Sequence, residues 1–223
     1  LLNPKQPGCE YPFKELSGAG VAFKMLSALV PYLGLTMDSV YDHLDLLALS
    51  IGADLVDITG ENRIMAYHGM LNLREHMRPG IRAMLQVAGI EEAPKTVRDM
   101  SFSLGPRINA AGRVGHALTA AKLLMANDEG RALELASQLE TMNQARRDID
   151  EDLTVEAIAL MVEQPPGRSC TIVHGEGWHR GVLGIVASRL VEQRYCPTIV
   201  LSEENEVLTG SARSVPGIDI HDA

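Results

Sequence analysis

Apolar residues recur at helical spacing through most of the first hundred positions. After a lead bearing Pro4, Pro7 and Gly8, Ser17 precedes Val21, Phe23, Met25, Leu26, Leu29 and Val30, which predicts a buried helix with Ser17 near its N-cap. A second apolar helix is expected over roughly 40–56. It carries Leu44, Leu46, Leu47, Leu49 and Ile51 and ends in the acidic run Ala53-Asp54-Leu55-Val56-Asp57. Two more follow, over about 61–74 and 81–87, the latter stopping at Gly89. Residues 101–115 interrupt the pattern: they hold too much Gly and too little periodicity for a regular element, apart from a short helix at 108–111, and read as a shaped loop.

From Asp128 to Glu163 the steps of three and four return, through Ala132, Leu135, Leu139, Met142, Ile149, Leu153, Ala157 and Leu160, with Arg146 as an interruption. No Pro or Gly falls between Gly130 and Pro165, so one helix about 50 Å long is expected. That length suits a bridge between two bodies, with Pro165-Pro166-Gly167 as its stop and the domain boundary there. Beyond it the pattern changes to a strand (170–174), a Gly-led helix (181–194) and two further strands (198–202 and 207–211). The fold class is therefore α/β: a mainly helical part over 1–127, a connecting helix over 128–164, and a small α/β part over 168–223.

Composition narrows the function. The 223 residues carry 20 Lys+Arg against 29 Asp+Glu, a formal net charge of −9, so a general basic coat that binds nucleic acid by counterion release is not indicated. Contact with phosphates must then come from a local cluster or a metal. Cys9, Cys170 and Cys196 form no Cys-x-x-Cys and no zinc spacing, which points to a reducing, cytoplasmic setting. No apolar run approaches the roughly 20 residues needed to span a bilayer, so no membrane association is expected. The start at Leu1 without Met, and the stop at Asp222-Ala223, suggest a piece of a longer protein.

Three stretches are better explained by a site than by packing. Asp54 closes a very apolar helix, where a carboxylate needs a partner. It is either a helix-end residue satisfied by backbone donors or a ligand for manganese or magnesium. In Gly105-Pro106-Arg107-Ile108-Asn109-Ala110-Ala111-Gly112-Arg113, two guanidinium forks and Asn109 sit on a Gly/Pro frame. They suit bidentate phosphate binding, or they are solvated turn residues. In the third, His179, Arg180, Gly181 and Gly184 open a helix whose free N–H groups can hold an anion, and Gly210-Ser211-Ala212-Arg213-Ser214 allows close approach to a phosphate. The alternative is a tight turn whose glycines serve packing. Trp178 either stacks on a base or anchors a hinge. The other histidines considered, His43, His68, His76, His116 and His174, form no ligand pattern, and no Gly-x-Ser-x-Gly elbow occurs.

Taken together, these stretches resemble the RecJ single-strand-specific exonucleases of the DHH phosphoesterase superfamily. The resemblance runs from Asn3-Pro4-Lys5-Gln6 through Ser17-Gly18-Ala19-Gly20, the 44–56 run, Glu61-Asn62-Arg63, the Gly105–Arg113 string and 177–189 to Gly210–Ser214. It implies a catalytic DHH domain joined by a long helix to a DHHA1-type domain, with single-stranded DNA in the cleft between them. It also implies two divalent metals, manganese or magnesium, that activate water for in-line attack on a phosphodiester. Asp54 matches a metal ligand and catalytic position of that family. Arg107, Asn109, Arg113, His179, Gly181, Gly184, Ser211 and Arg213 match its phosphate-binding positions. The activity implied is a 5′-to-3′ exonuclease of DNA repair and recombination, with helicases and single-strand-binding proteins as partners.

The Asp-x-Asp-Gly and Asp-His-His motifs that supply most of the family's metal ligands are missing from this chain. With one expected ligand left, the piece by itself is expected to be inactive. Two competitors stand beside this reading: a DHH-family phosphodiesterase of short oligonucleotides or cyclic dinucleotides, and a non-catalytic DNA-binding relative.

Overall fold

A computed structural model describes residues 2–165 and 167–220. The chain divides into two compact units. Unit 1 comprises Leu1–Ala111 and Ala117–Glu140; unit 2 comprises Gly112–His116 and Thr141–Ala223. The final residues 221–223 and Pro166, part of the expected helix stop, lie outside the described residues.

Unit 1 is helical. Helix α1 (Gly18–Leu33) is capped as its sequence predicts: the Ser17 hydroxyl accepts the Gly20 N–H at 3.1 Å. The single apolar helix expected over 40–56 is instead two, α2 (Asp38–Tyr41) and α3 (Leu44–Ala53). Arg78 holds the break, donating to the Asp42 carbonyl at 2.7 Å and to the carboxylate of buried Asp45. Helix α4 (Gly60–Glu75) packs on α3, and α5 (Pro79–Val87) takes Pro79 in its first turn, where the missing N–H costs nothing.

Helix α6 (Val97–Ser103) was not legible in the hydrophobic pattern. A capping box starts it, in which Thr96 and Asp99 satisfy each other's backbone N–H groups. Helix α7 (Gly105–Val114) overturns the expected loop. Its alanines and first glycine serve contact rather than turning: Ala110 and Ala111 are fully buried, and a Cβ on Gly105 would lie 3.3 Å from the Ala53 Cα. A short helix, α8 (Leu118–Leu124), follows.

Helix α9 (Glu129–Glu163) has the expected length of 35 residues, and Asp128 caps it by accepting the Arg131 N–H at 2.7 Å. Residues 129–140 belong to unit 1 and 141–163 to unit 2. In unit 2, β1 (Thr171–Glu176) leads through α10 (Leu183–Gln193) to β2 (Thr198–Glu204), which lies parallel to β1. Strand β3 (Val207–Arg213) then returns antiparallel along β2. Asn205 and Glu206 both take positive φ, which suits the tight two-residue turn between β2 and β3. Leu153, Ala157 and Met161 of α9 form one core with Val182, Leu183, Val186, Ala187 and Leu190, and with Val173 and Val200 of the sheet. This confirms the α/β class. Among the described residues no helix is long and apolar enough to cross a membrane.

Candidate nucleic-acid interface

In unit 1, Asp54 is the C-cap of α3. Although it ends a very apolar helix, its side chain is exposed, and its carboxylate accepts the Ser50 hydroxyl at 3.1 Å. The buried carboxylate of that helix is Asp45, paired with Arg78. Two features still set Asp54 apart. A carboxylate at a helix C-terminus lies against the negative end of the helix dipole, a position that favours a cation. The next residue, Leu55, holds φ +53°, a left-handed conformation uncommon for a branched side chain. Asn109 of α7 donates to the Ala53 carbonyl at 3.4 Å, so the end of α3 that carries Asp54 is tied to the Gly105–Arg113 segment.

Asp54 has no companions. Among the described residues no three His, Cys, Asp or Glu side chains gather so as to hold a metal ion. Divalent cations on oxygen ligands need several convergent groups, so the residues present do not make a metal centre by themselves.

Arg107, also in unit 1, is buried. Its Nε pairs with Glu140 of α9, and its Nη1 donates to the Ser103 carbonyl. The fork is used to tie α6, α7 and α9 together.

Unit 2 gathers the rest. Arg113, in the 112–116 segment, is exposed and donates to the Gly181 carbonyl at 3.1 Å. A Cβ on Gly181 would lie 2.1 Å from the Arg113 carbonyl oxygen, so only glycine allows these two backbones to meet. The Gly181 N–H in turn donates to Nδ1 of the exposed His179 at 3.1 Å. Trp178 is buried in the unit 2 core and donates to Glu156 at 3.1 Å, so it is an anchor and not a stacking platform.

Gly184, Ser211 and Arg213 come together as well. A Cβ on Gly184 would lie 2.9 Å from Arg213 Nη2 and 3.0 Å from Ser211 Oγ. Arg213 is exposed, and hydroxyl groups steady it: Nε donates to Ser188 at 3.1 Å and Nη1 to Ser211 at 3.3 Å. No carboxylate among the described residues claims it. Since Ile185 and Val186 both donate to the Val182 carbonyl, the N–H groups of Leu183 and Gly184 are left as first-turn donors beside that guanidinium. The two hydroxyls, the guanidinium and the helix start make a cradle suited to a phosphate oxygen.

A helical unit, a 35-residue helix and a βαβ-and-hairpin unit with an exposed arginine beside two hydroxyls define the class of this α/β protein. Over its whole length the chain is homologous to a segment of the RecJ single-stranded-DNA-specific exonucleases. It is 40% identical to RecJ of Bacillus subtilis over 225 residues, covering all of this chain and 28% of that protein. It is 35% identical to RecJ of Escherichia coli over 239 residues, covering 41% of it. The structure of RecJ from Thermus thermophilus in complex with Mg2+ superposes with a TM-score of 0.82 at 29% identity, covering 96% of this chain and 32% of that one. The Mn2+ complex of the same protein superposes at 0.80. This chain therefore spans well under half the length of these relatives. No protein-family model matches it.

Proposed function

We propose that the chain is a core segment of a RecJ-type exonuclease of the DHH/DHHA1 superfamily, which degrades single-stranded DNA from the 5′ end in repair and recombination. The observation that carries this reading is end-to-end similarity to RecJ proteins at 35–40% identity. In this reading residues 1–127 are the later part of a DHH domain and residues 168–223 belong to a DHHA1-type domain. Helicases and single-strand-binding proteins are the class of partner expected.

The geometry supports a division of labour. Arg213, Ser211 and the start of α10 hold a phosphate through directed hydrogen bonds, with Arg113 and His179 on the turn fixed by Gly181. Arg107 contributes indirectly, by holding α7 so that Asn109 meets the end of α3. Asp54 offers a carboxylate to a divalent cation, and Mg2+ and Mn2+ are the metals with which the similar Thermus thermophilus protein is in complex. Among the described residues no further ligands gather with Asp54, and in this reading the chain alone binds DNA without cleaving it.

The test is binding of the purified chain to a 5′-phosphorylated single-stranded oligonucleotide across a salt series, with an assay for nucleotide release in Mn2+. Binding without release is expected, and Arg213→Ala should weaken it and reduce the slope of log K against log salt by about 0.7, one phosphate contact. Absence of binding at low salt would overturn the reading. Nucleotide release abolished by Asp54→Ala would show that the segment is itself a nuclease.

A further inference from the structure

Unit 2 carries another group of arginines, which the interface above leaves unused. On α9, Asn143, Arg146, Arg147 and Asp150 fall on one helix face by their spacing. Asp150 is almost wholly buried and is paired twice, with Arg146 Nη1 at 3.5 Å and with Nη2 of Arg189, from α10, at 2.8 Å. Arg146 also donates to Asn143 Oδ1 at 3.1 Å, and Arg189 to Thr154 at 3.4 Å.

This knot leaves polar groups over. Arg146 Nε and Asn143 Nδ2 are buried donors without a partner among the described residues, and Asp150 Oδ1 is a buried acceptor in the same condition. Arg147 is exposed and makes no hydrogen bond or ion pair among the described residues. Arg146, Arg147 and Arg189 line an open pocket of about 410 Å³ together with Asp150 and Glu151. Burial first, and then the nearby Arg147, Arg113 and Arg189, push the Arg146 guanidinium below its usual pKa, against the opposing pull of Asp150.

A purely structural tie explains this poorly. One buried carboxylate balances one guanidinium, and each further arginine brought to it adds repulsion and desolvation that no other buried carboxylate relieves. The chain as a whole is acidic, so a local excess of guanidinium is a reversal of its average charge. The pocket is open, and no aromatic side chain lines it, which suits a backbone phosphate better than a base.

We propose that Arg146, Arg147 and Arg189 form a second phosphate subsite, taking the backbone of single-stranded DNA. The proposal rests on the single-stranded-DNA reading given above. Ser188, which steadies Arg213, is the sequence neighbour of Arg189, so α10 contributes a residue to each arginine group.

Arg147 is the residue to change, because among the described residues it has no hydrogen-bond or ion-pair partner whose loss would disturb the fold. Anisotropy of a labelled oligo(dT) across a salt series would compare the native chain with Arg147→Ala, Arg147→Glu and Arg213→Ala, each checked for unchanged thermal unfolding. Arg147→Ala should weaken binding about threefold to fivefold and lower the salt slope by about 0.7, and Arg147→Glu should weaken it about tenfold or more. If both variants kept native affinity and slope while Arg213→Ala lost binding, the second subsite alone would be wrong. If the native chain did not bind oligo(dT), the single-stranded-DNA reading would fail and the subsite with it.

Discussion

Arg107 of α7 and Arg213 of β3 come from stretches of similar appearance, small residues and glycines around a guanidinium, yet the two regions use that group in opposite ways. In unit 1, Glu140 reaches Arg107 from α9, the Ser103 carbonyl takes a second donor, and the side chain is buried. In unit 2, Arg213 donates to the hydroxyls of Ser188 and Ser211 and to the Ala212 carbonyl, pairs with no carboxylate among the described residues, and stays exposed. Neutral acceptors orient a guanidinium without cancelling its charge, whereas a carboxylate consumes it. Whether an arginine is free for a phosphate is therefore decided by what packs on it from elsewhere in the chain.

The sharpest way to break this contrast is to remove each fork in turn. Arg107→Ala strands Glu140, only 27% exposed, and a carbonyl acceptor, so it should cost about 3 kcal/mol of unfolding free energy in urea. Arg213→Ala should stay within about 0.5 kcal/mol, as surface substitutions do. If Arg107→Ala left stability intact and lowered the DNA salt slope instead, the two arginines would be alike after all.

The same contrast explains what the sequence could and could not disclose. Ser17 as a cap, the 35-residue helix α9 and the order of elements in unit 2 follow from local pattern, and all three are in the structure. The 101–115 stretch misled because its Gly and Ala residues were weighed for flexibility, when their use is close contact: Ala110 and Ala111 are buried, and Gly105 rests on Ala53. Helix α6 is short, and its capping box was the only local mark of it. Glu140, the partner of Arg107, and Asp150, the partner of Arg189, lie 33 and 39 residues away in the chain, a distance no periodicity reads. Arg146 showed itself only as a break in an apolar stripe, a signal that marked the second arginine group without saying what it was for.

The two glycines that flank Arg113 in space sharpen the comparison within unit 2. Gly181→Ala would drive a Cβ into the Arg113 carbonyl, 2.1 Å away, and should cost roughly 2 kcal/mol while loosening DNA binding through the displaced turn. Gly112→Ala meets nothing within 4 Å on a helix, and should raise stability by up to about 1 kcal/mol with binding unchanged. Equal effects from the two, measured by thermal unfolding and anisotropy, would mean that the close approach at Gly181 does not fix Arg113.

The smallest effect separates charge from shape at the cradle itself. Arg213→Lys keeps the positive charge, so the counterions released on binding, and with them the salt slope, should be unchanged. An ammonium on a flexible stem cannot reproduce a planar fork that donates through Nε to Ser188 and through Nη1 to Ser211 at once. The lysine variant should therefore lose only about twofold to threefold in affinity at every salt concentration, a parallel displacement of the line that Arg213→Ala would tilt. A native affinity in Arg213→Lys would show that the two hydroxyls merely accompany the charge. A tilt as large as that of alanine would show that the lysine does not reach the phosphate, and that the cradle works only because Ser188 and Ser211 hold the guanidinium in place.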